Sequence, residues 1–291
     1  MSKTLDAAKV AGYPYTDGGK LDVLGDEGII PTGTKVIEEN GEYDVYSFEK
    51  VDVNVAGDIT VNESYDISEG KLNTANVELE GDVTVHIPNG VVTIGNKAFM
   101  NNVTITKVIM PDSVTTIEDG TFQYPSSPNN AMAFGNCLNL KEVVFSNNLT
   151  NIGNYAFNGC SGLTSITIPD SVTSIGDGAF NGCSGLTSIT IPDSVTNIGD
   201  YAFNGCSGLT SITIPDSVAS IGDGAFYSCS GLTSITIPDS VTSIGDGAFY
   251  SCASLTDIYY TGTQAEWEAI TGISDAEIPE TATIHYEYTP E

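Results

Sequence analysis

The most reactive side chains in this sequence are six cysteines and two histidines, and their spacing argues against the chemistry these residue types usually perform. Zinc ligands normally lie roughly two to four residues apart and include histidine, whereas these cysteines follow one another at intervals of 23 residues. His86 and His285 lie at opposite ends of the repeat region, and with equivalent, buried-looking cysteines they cannot assemble a nucleophile, a base and an orienting group. We therefore predict no catalytic residue, no metal site and no cofactor, and we expect that the protein is not an enzyme. The cysteines are Cys137, Cys160, Cys183, Cys206, Cys229 and Cys252.

The even spacing of the cysteines leaves two further interpretations, disulfides or free thiols. On neighbouring rungs of a sheet about 4.8 Å apart, two cysteines satisfy the distance that a disulfide needs. Every cysteine is nevertheless equivalent to its neighbours by translation, and pairing would break that equivalence. Because unpaired cysteine is among the most buried residue types, we predict a column of buried free thiols.

Aspartate also recurs along the chain, which raises the question of calcium. Asp170 with Asp177, and Asp193 with Asp200, give two aspartates in each 23 residues. Calcium-binding β-rolls use denser glycine and aspartate patterns than this. Since aspartate favours turns through its own side-chain hydrogen bonds, we interpret these residues as turn caps on a solvated acidic face.

The net charge excludes whole classes of partner. The 291 residues include 9 lysines, no arginine and 38 acidic residues, for a formal charge of −29. Without cations to neutralise phosphate, binding to nucleic acid or to an anionic lipid surface is disfavoured. No apolar run approaches the roughly 18 residues that span a bilayer, so membrane insertion is not expected. The first ten residues contain no apolar segment typical of a secretory signal.

A 23-residue repeat dominates the sequence and must position these side chains. In one unit, Leu163, Ile166 and Ile168 point inward and alternate with outward Ser165 and Thr167, which predicts a short strand. A proline, a second short apolar segment and an Ala-Phe pair followed by cysteine complete the interior. One such coil buries too little apolar surface to fold alone, so the coils must stack into a solenoid. The units begin at Asp82, Ile105, Leu140, Leu163, Leu186, Leu209 and Leu232, and the last ends at Ser254.

The pattern L-x-x-I-x-I-P-x-S-V-x-x-I-G-x-x-A-F-x-x-C, read from Leu163 to Cys183, resembles the BspA-like leucine-rich repeat family. That resemblance implies a right-handed leucine-rich solenoid used for adhesion or ligand recognition, with no catalytic residues to carry over. The fold class we predict is a β-rich solenoid of about seven coils over residues 82–254. A small β-rich region at 1–81 precedes it, and a helix–strand cap at 255–291 follows it.

The unit that begins at Ile105 departs from the repeat, because about 12 residues are inserted between 123 and 134. An insertion must leave the coil as a loop, and such loops often carry contacts. A solvated loop without function is the alternative. Either Phe122 or Phe134 fits the phenylalanine position of the repeat. The candidate partner-binding residues in this insertion are Tyr124, Asn129, Asn130 and Met132.

The two ends of the chain depart from the repeat as well. Thr263 and Glu266 have capping-box spacing, which predicts a helix. The helix places Trp267 as a lid on the last coil, with ligand stacking as the alternative role. A strand is predicted at 282–286. Near the other end, the segment from Glu39 to Val55 resembles segments of phage structural proteins and Gram-positive surface proteins. Residues 1–81 are therefore expected to mount the solenoid on a particle or larger assembly, and homo-oligomerisation there stays open.

Rows of outward hydroxyls are the main candidate surface for a partner. Their regular spacing fits a recognition surface for a protein or glycan, an ice-facing lattice, or filler that merely favours strands. The less regular ends are better suited to selective contacts, because selective sites need dissimilar polar groups. The residues concerned are Lys107 and Ile109 in the second coil, Glu142 and Val144 in the third, and Asp257 and Tyr259 at the cap. The row residues are Ser165, Thr167, Ser188, Thr190, Ser211, Thr213, Ser234 and Thr236.

These patterns together predict a non-enzymatic recognition or attachment protein that binds a protein or glycan on a cell surface. We expect a virion-associated component such as a phage fibre, baseplate or receptor-binding protein, located on the virion or at an extracellular surface. A bacterial cell-surface adhesin is the alternative. An ice-binding protein is the alternative from another class.

Overall fold

The computed structural model describes residues 84–87, 89–103, 105–123 and 130–290 in full, together with the backbone of Val83 and of short strands before it. Most of residues 1–81 lie outside the described residues, so the prediction that they mount the solenoid on an assembly remains a prediction. The strands described there are β1 (Lys3–Leu5), β2 (Leu21–Val23), β3 (Glu27–Ile29), β4 (Val51–Val53), β5 (Gly57–Val61), β6 (Lys71–Leu72) and β7 (Val77–Leu79).

From Val83 onward the chain repeats a longer and a shorter strand in every coil, as the alternation of apolar and polar residues predicts. A cap of one strand, one helix and a last strand follows the seventh coil. The pairs are β8 (Val83–His86) with β9 (Thr93–Ile94), β10 (Ile105–Ile109) with β11 (Thr116–Ile117), β12 (Glu142–Val144) with β13 (Asn151–Ile152), β14 (Ser165–Thr167) with β15 (Ser174–Ile175), β16 (Ser188–Thr190) with β17 (Asn197–Ile198), β18 (Ser211–Thr213) with β19 (Ser220–Ile221), and β20 (Ser234–Ile237) with β21 (Ser243–Ile244). The cap contains β22 (Asp257–Tyr260), α1 (Gln264–Ala269) and β23 (Thr283–His285).

Successive coils pair in parallel and in register, except for one shift between Ile105 and Lys107 where β10 pairs with β8. Ser165 lies opposite Ser188, and Ser211 lies opposite Ser234, so that equivalent residues of the repeat stack on one another. The shorter strands form one continuous sheet in the order β6, β9, β11, β13, β15, β17, β19 and β21. The solenoid predicted from the repeat is therefore the fold.

The parallel ladder does not stop where the repeat becomes unrecognisable in the sequence. Strand β5 pairs in parallel with β8, and β6 pairs in parallel with β9. These strands continue both ladders by one rung before Asp82.

A stack of phenylalanine rings fills the core along the solenoid axis. Phe180 and Phe203 are fully buried, and their ring centroids lie 5.6 Å apart with an interplanar angle of 5°. In the coil with the insertion, Phe134 occupies this stack, 4.8 Å from Phe157. Phe122 is half-buried and lies outside the stack, with its ring 5.8 Å from that of Tyr155. The position that the sequence left open therefore belongs to Phe134.

The six cysteines line this core as buried free thiols, which confirms the prediction. Each sulfur donates to the backbone carbonyl of the phenylalanine in the preceding coil; Cys206, for example, lies 3.3 Å from the oxygen of Phe180. Burial raises the pKa of the Cys206 and Cys252 thiols to about 12. The thiolate, which is the nucleophilic form, is therefore suppressed at neutral pH.

The insertion is closed at its base by an antiparallel bridge between Thr121 and Ala131. Beside the bridge, Oδ1 of Asn130 accepts a hydrogen bond of 3.0 Å from the backbone N–H of Gln123. Asn130 is 2% exposed and Met132 is fully buried.

This burial corrects the prediction that Asn130 and Met132 contact a partner. Asn130 holds the base of the insertion together, and Met132 packs in the interior two residues before the stacked Phe134. The other two residues predicted there, Tyr124 and Asn129, lie outside the described residues.

The C-terminal cap forms as the sequence predicts. Oγ1 of Thr263 accepts from the backbone N–H of Glu266, and Oε2 of Glu266 accepts from the backbone N–H of Thr263. This capping box starts α1, and the helix presses Trp267 against the core, 4% exposed and edge-on to Tyr260 at 5.1 Å. Trp267 is therefore a lid, and its burial removes the alternative of a ligand-stacking role.

Candidate binding surface

The eight serine and threonine residues proposed from the repeat lie on one surface, formed by the outward positions of β14, β16, β18 and β20. We call this surface the hydroxyl face. The isoleucine between each serine and threonine turns inward, so the hydroxyls of adjacent coils fall into two parallel rows. The rows continue across the boundary between the two sheets that contain these strands, because β16 and β18 are also in contact. The exposed members are Ser165, Thr167, Ser188, Thr190, Ser211 and Thr213, whereas Ser234 and Thr236 are half-buried.

At the C-terminal end, the two rows change their chemistry. Asp257 lies opposite Ser234, and Tyr259 lies opposite Thr236, so both predicted residues extend the hydroxyl face. The partial burial of Ser234 and Thr236 follows from their position beside these larger side chains. A flat face of hydroxyls thus ends in a carboxylate and an aromatic ring.

Strand β23 adds a further rung to this end of the face. His285 lies opposite Tyr259, and the two rings stack with centroids 4.8 Å apart and an interplanar angle of 18°. The Tyr288 ring lies 4.6 Å from that of Tyr259 at an angle of 40°. The backbone N–H of Tyr288 donates to the carbonyl of Tyr260, which fixes its position. We call Asp257, Tyr259, His285 and Tyr288 the aromatic end.

The Asp257 carboxylate is held by hydrogen bonds at both oxygens. Its Oδ1 lies 2.7 Å from Nε2 of His285, and its Oδ2 accepts from the Thr256 hydroxyl at 2.7 Å. These hydrogen bonds, the one from His285 foremost, hold the pKa of Asp257 below its ordinary value. The aspartate is therefore charged and oriented at neutral pH.

Sequence reasoning missed His285 and Tyr288 as members of this surface. The strand that carries His285 was predicted, but its register against β22 was not. The hydrophobic alternation of Thr283, Ile284 and His285 was the available signal, because it places Ile284 inward opposite Ile258 and His285 outward.

At the opposite end, the strands that precede the regular coils carry an ion pair. Nζ of Lys107 lies 2.8 Å from Oε1 of Glu142, across the β10–β12 pair. Beyond this point the sequence has no cation other than histidine, since no lysine or arginine follows Lys141. The hydroxyl face and the aromatic end therefore belong to a part of the chain with no lysine or arginine.

The repeated aspartates form a separate ladder, in which each carboxylate caps the next coil. Oδ1 of Asp177 accepts from the backbone N–H of Asp200 at 3.0 Å, and Oδ1 of Asp200 accepts from that of Asp223 at 2.8 Å. Asp223 caps Asp246 in the same way, at 2.9 Å. Among residues 84–87, 89–103, 105–123 and 130–290, no group of three or more potential metal ligands comes together.

Replacing Asp200 should separate the capping role of this ladder from its charge. Asp200→Ala removes the acceptor for the Asp223 N–H and is expected to cost about 1 kcal/mol of unfolding free energy. Asp200→Asn keeps an acceptor and removes a charge from an acidic column, so we expect it to be neutral or slightly stabilising. Urea unfolding of the two variants gives both values, and equal destabilisation by both would contradict the capping role.

The repeat is also recognised by comparison with known families. The model of the BspA type leucine rich repeat region matches residues 78–132 and 129–256 in six copies. The chain belongs to the BspA-type leucine-rich repeat family. This assignment accounts for the coil length, the stacked phenylalanines and the parallel ladder of the BspA-type solenoid described above.

Several solved structures are similar to this BspA-type chain. A T. pallidum leucine-rich repeat protein is 30% identical over 60% of this chain and 68% of its own, with a TM-score of 0.43. A leucine-rich cell surface protein from Faecalibacterium prausnitzii is 22% identical over 89% and 98%, with a TM-score of 0.42. The Pneumococcal vaccine antigen PcpA is 17% identical over 79% and 73%, with a TM-score of 0.42. No curated protein matches the sequence significantly.

No helix in the part of the chain that the structure describes is both long enough and apolar enough to span a membrane. The six thiols are buried in the core, away from the hydroxyl face. The chemistry exposed on this face is therefore that of hydroxyls, one carboxylate, one imidazole and two phenol rings.

Proposed function

We propose that this BspA-type protein is a non-enzymatic recognition protein that attaches to a partner through the hydroxyl face and the aromatic end. The observation that carries the proposal is the register of the parallel strands, which presents identical hydroxyl pairs on successive rungs. Such a face is held rigid by the backbone ladder beneath it. Little conformational entropy is then lost when a partner binds.

The proposal that the protein is not an enzyme is supported by the state of its most reactive groups. The thiols are buried, and the imidazole of His285 is hydrogen-bonded to a carboxylate and stacked on a phenol ring. A catalytic site needs a nucleophile within reach of a base. The thiols, which are the strongest nucleophiles of the chain, are enclosed in the core instead.

The place of action that we propose is a virion or an extracellular surface. The resemblance of residues 39–55 to segments of phage structural proteins and Gram-positive surface proteins supports either location. We favour the virion, with a bacterial surface adhesin as the alternative. Fractionation of the source cells and particles, followed by immunoblotting, distinguishes the two.

Two threonines at the centre of the hydroxyl face provide the test of attachment. Thr190 and Thr213 are exposed, and lysine at both positions would place two long charged side chains on the face. The matched control is Thr196→Lys, since Thr196 is exposed on the same coil as Thr190 but precedes the shorter strand β17.

The measurement is the binding of labelled protein to a panel of intact bacterial and epithelial cells. Saturable binding by the native protein and by Thr196→Lys, reduced at least about tenfold in the Thr190→Lys/Thr213→Lys variant, is the expected result. Binding that is equal in all three proteins would show that the hydroxyl face is not the contact surface. Thermal unfolding of each variant verifies that the solenoid is intact.

A second function of another class, ice binding, is favoured by the strict regularity of the hydroxyl rows. An ice-binding surface would be disturbed by the same Thr190→Lys/Thr213→Lys substitution. If thermal hysteresis is present in the native protein and abolished in this variant, the function is ice binding and not attachment.

A further inference from the structure

We infer that the aromatic end is a binding site for a neutral glycan. This inference rests on the proposed function and names the class of ligand. The first observation is the arrangement of the rings, since the Tyr259 ring contacts both His285 and Tyr288, at centroid distances of 4.8 and 4.6 Å. Rings held in this way offer an apolar surface with polar edges, against which a sugar ring can stack.

The second observation is a charged acceptor beside the rings. The Asp257 carboxylate is fixed by His285 and Thr256, yet 36% of its side chain is exposed. Each carboxylate oxygen has a further lone pair, and that pair can accept a hydrogen bond from a sugar hydroxyl. The His285 side chain, 41% exposed, lies next to it. Apolar rings and convergent, dissimilar polar groups are the combination that small-ligand sites require.

The third observation is the charge, which decides between neutral and anionic glycans. No lysine or arginine follows Lys141, and Asp257 itself is negative. A sialylated, sulfated or uronic acid glycan would find no lysine or arginine to pair with and a carboxylate to repel it. An uncharged oligosaccharide of hexoses or N-acetylhexosamines needs no basic side chain and is not repelled by the carboxylate.

The surroundings favour a glycan over a protein partner. Among the described residues, the large exposed hydrophobic side chains are Val92, Val103, Leu138, Val144, Tyr201 and Tyr250, and none of them belongs to β14, β16, β18, β20, β22 or β23. A protein interface usually has an apolar centre, and this face has none outside the two tyrosines. Its hydroxyls can both donate and accept, which matches a ligand covered with hydroxyls. The aromatic end and the neighbouring β20 extend about 10 Å, room for a short oligosaccharide.

The test uses the full chain and a printed array of neutral oligosaccharides with their sialylated and sulfated counterparts. The Tyr259→Ala variant removes the central ring, Tyr259→Phe keeps it, and Tyr250→Ala removes an exposed tyrosine elsewhere as the matched control. We expect neutral glycans to be bound. Their affinity should fall roughly tenfold or more in Tyr259→Ala and stay within about twofold in the other two. Asp257→Asn, which keeps the shape of the side chain, should weaken binding as well.

Failure of this inference can be distinguished from failure of attachment. Cell binding that is lost after periodate oxidation of cell-surface glycans, but kept after protease treatment, supports the glycan. If cell binding is lost in the Thr190→Lys/Thr213→Lys variant but is unchanged in Tyr259→Ala and sensitive to protease, the partner is a protein. In that case the proposed attachment function is retained, and the inference of a glycan-binding site is wrong. A preference for anionic glycans, or array binding that Tyr259→Ala does not change, also overturns it.

Discussion

Replacing Gly199 by alanine is expected to lower the unfolding free energy by about 3 kcal/mol, because the added methyl group would overpack the contact between two coils. A Cβ at this position would lie 2.7 Å from the backbone nitrogen of Asp177 and 2.7 Å from the carbonyl carbon of Gly176. Both atoms belong to the preceding coil. The backbone N–H of Gly199 donates to the carbonyl of Ile175, so the coils cannot separate without losing a ladder hydrogen bond.

The control for this prediction lies on the same coil. Gly205 has a φ of +70°, and a Cβ there would meet nothing closer than 3.7 Å. Gly205→Ala therefore incurs only the strain of a left-handed backbone, about 1–2 kcal/mol. Urea unfolding of the two variants measures the difference, and equal losses would show that close approach between the coils is not the cause.

The solenoid could be predicted because one period explains every buried position of the regular coils. Alternation of apolar and polar residues places Ile166 inward and Thr167 outward, and the structure repeats that arrangement from coil to coil. The hydroxyl face follows from the same argument. Where the sequence is periodic, local preference and packing specify the same structure.

The insertion could not be predicted in the same way, because it offers two phenylalanines for one position. Phe134 enters the stack, which carries Met132 inward two residues before it. If Phe122 occupied the stack instead, Met132 would belong to the inserted loop. The packing of the whole phenylalanine stack determines whether Phe122 or Phe134 enters it. That packing involves residues of several coils and cannot be read from the local sequence.

The aromatic end was missed for a related reason. Tyr259 belongs to the last recognisable rung, but His285 and Tyr288 come after a helix and a connection that does not follow the repeat. Only the pairing of β22 with β23 brings these side chains together. Register after an irregular connection depends on tertiary contacts, such as Trp267 on Tyr260, rather than on a repeat.

Phe203→Ala is expected to destabilise the protein by about 3–5 kcal/mol. The ring is fully buried and lies 5.6 Å from Phe180 and 5.5 Å from Phe226, so truncation leaves a cavity that two flanking rings cannot collapse to fill. Phe203→Leu retains most of the apolar volume and should cost about 1.5 kcal/mol or less. Similar losses for the two variants, measured by urea unfolding, would contradict a cavity as the cause.

The position of this cavity in the middle of the array adds a second expected result. In a solenoid each coil contacts only its neighbours, so the coils before and after Phe203 are joined mainly through this one rung. Weakening that rung should uncouple the two halves, and the dependence of unfolding free energy on urea should become shallower. Trp267→Ala weakens the end of the array instead, leaves no two halves to separate, and serves as the control. An undiminished urea dependence in Phe203→Ala would mean that the backbone ladder alone keeps the solenoid cooperative.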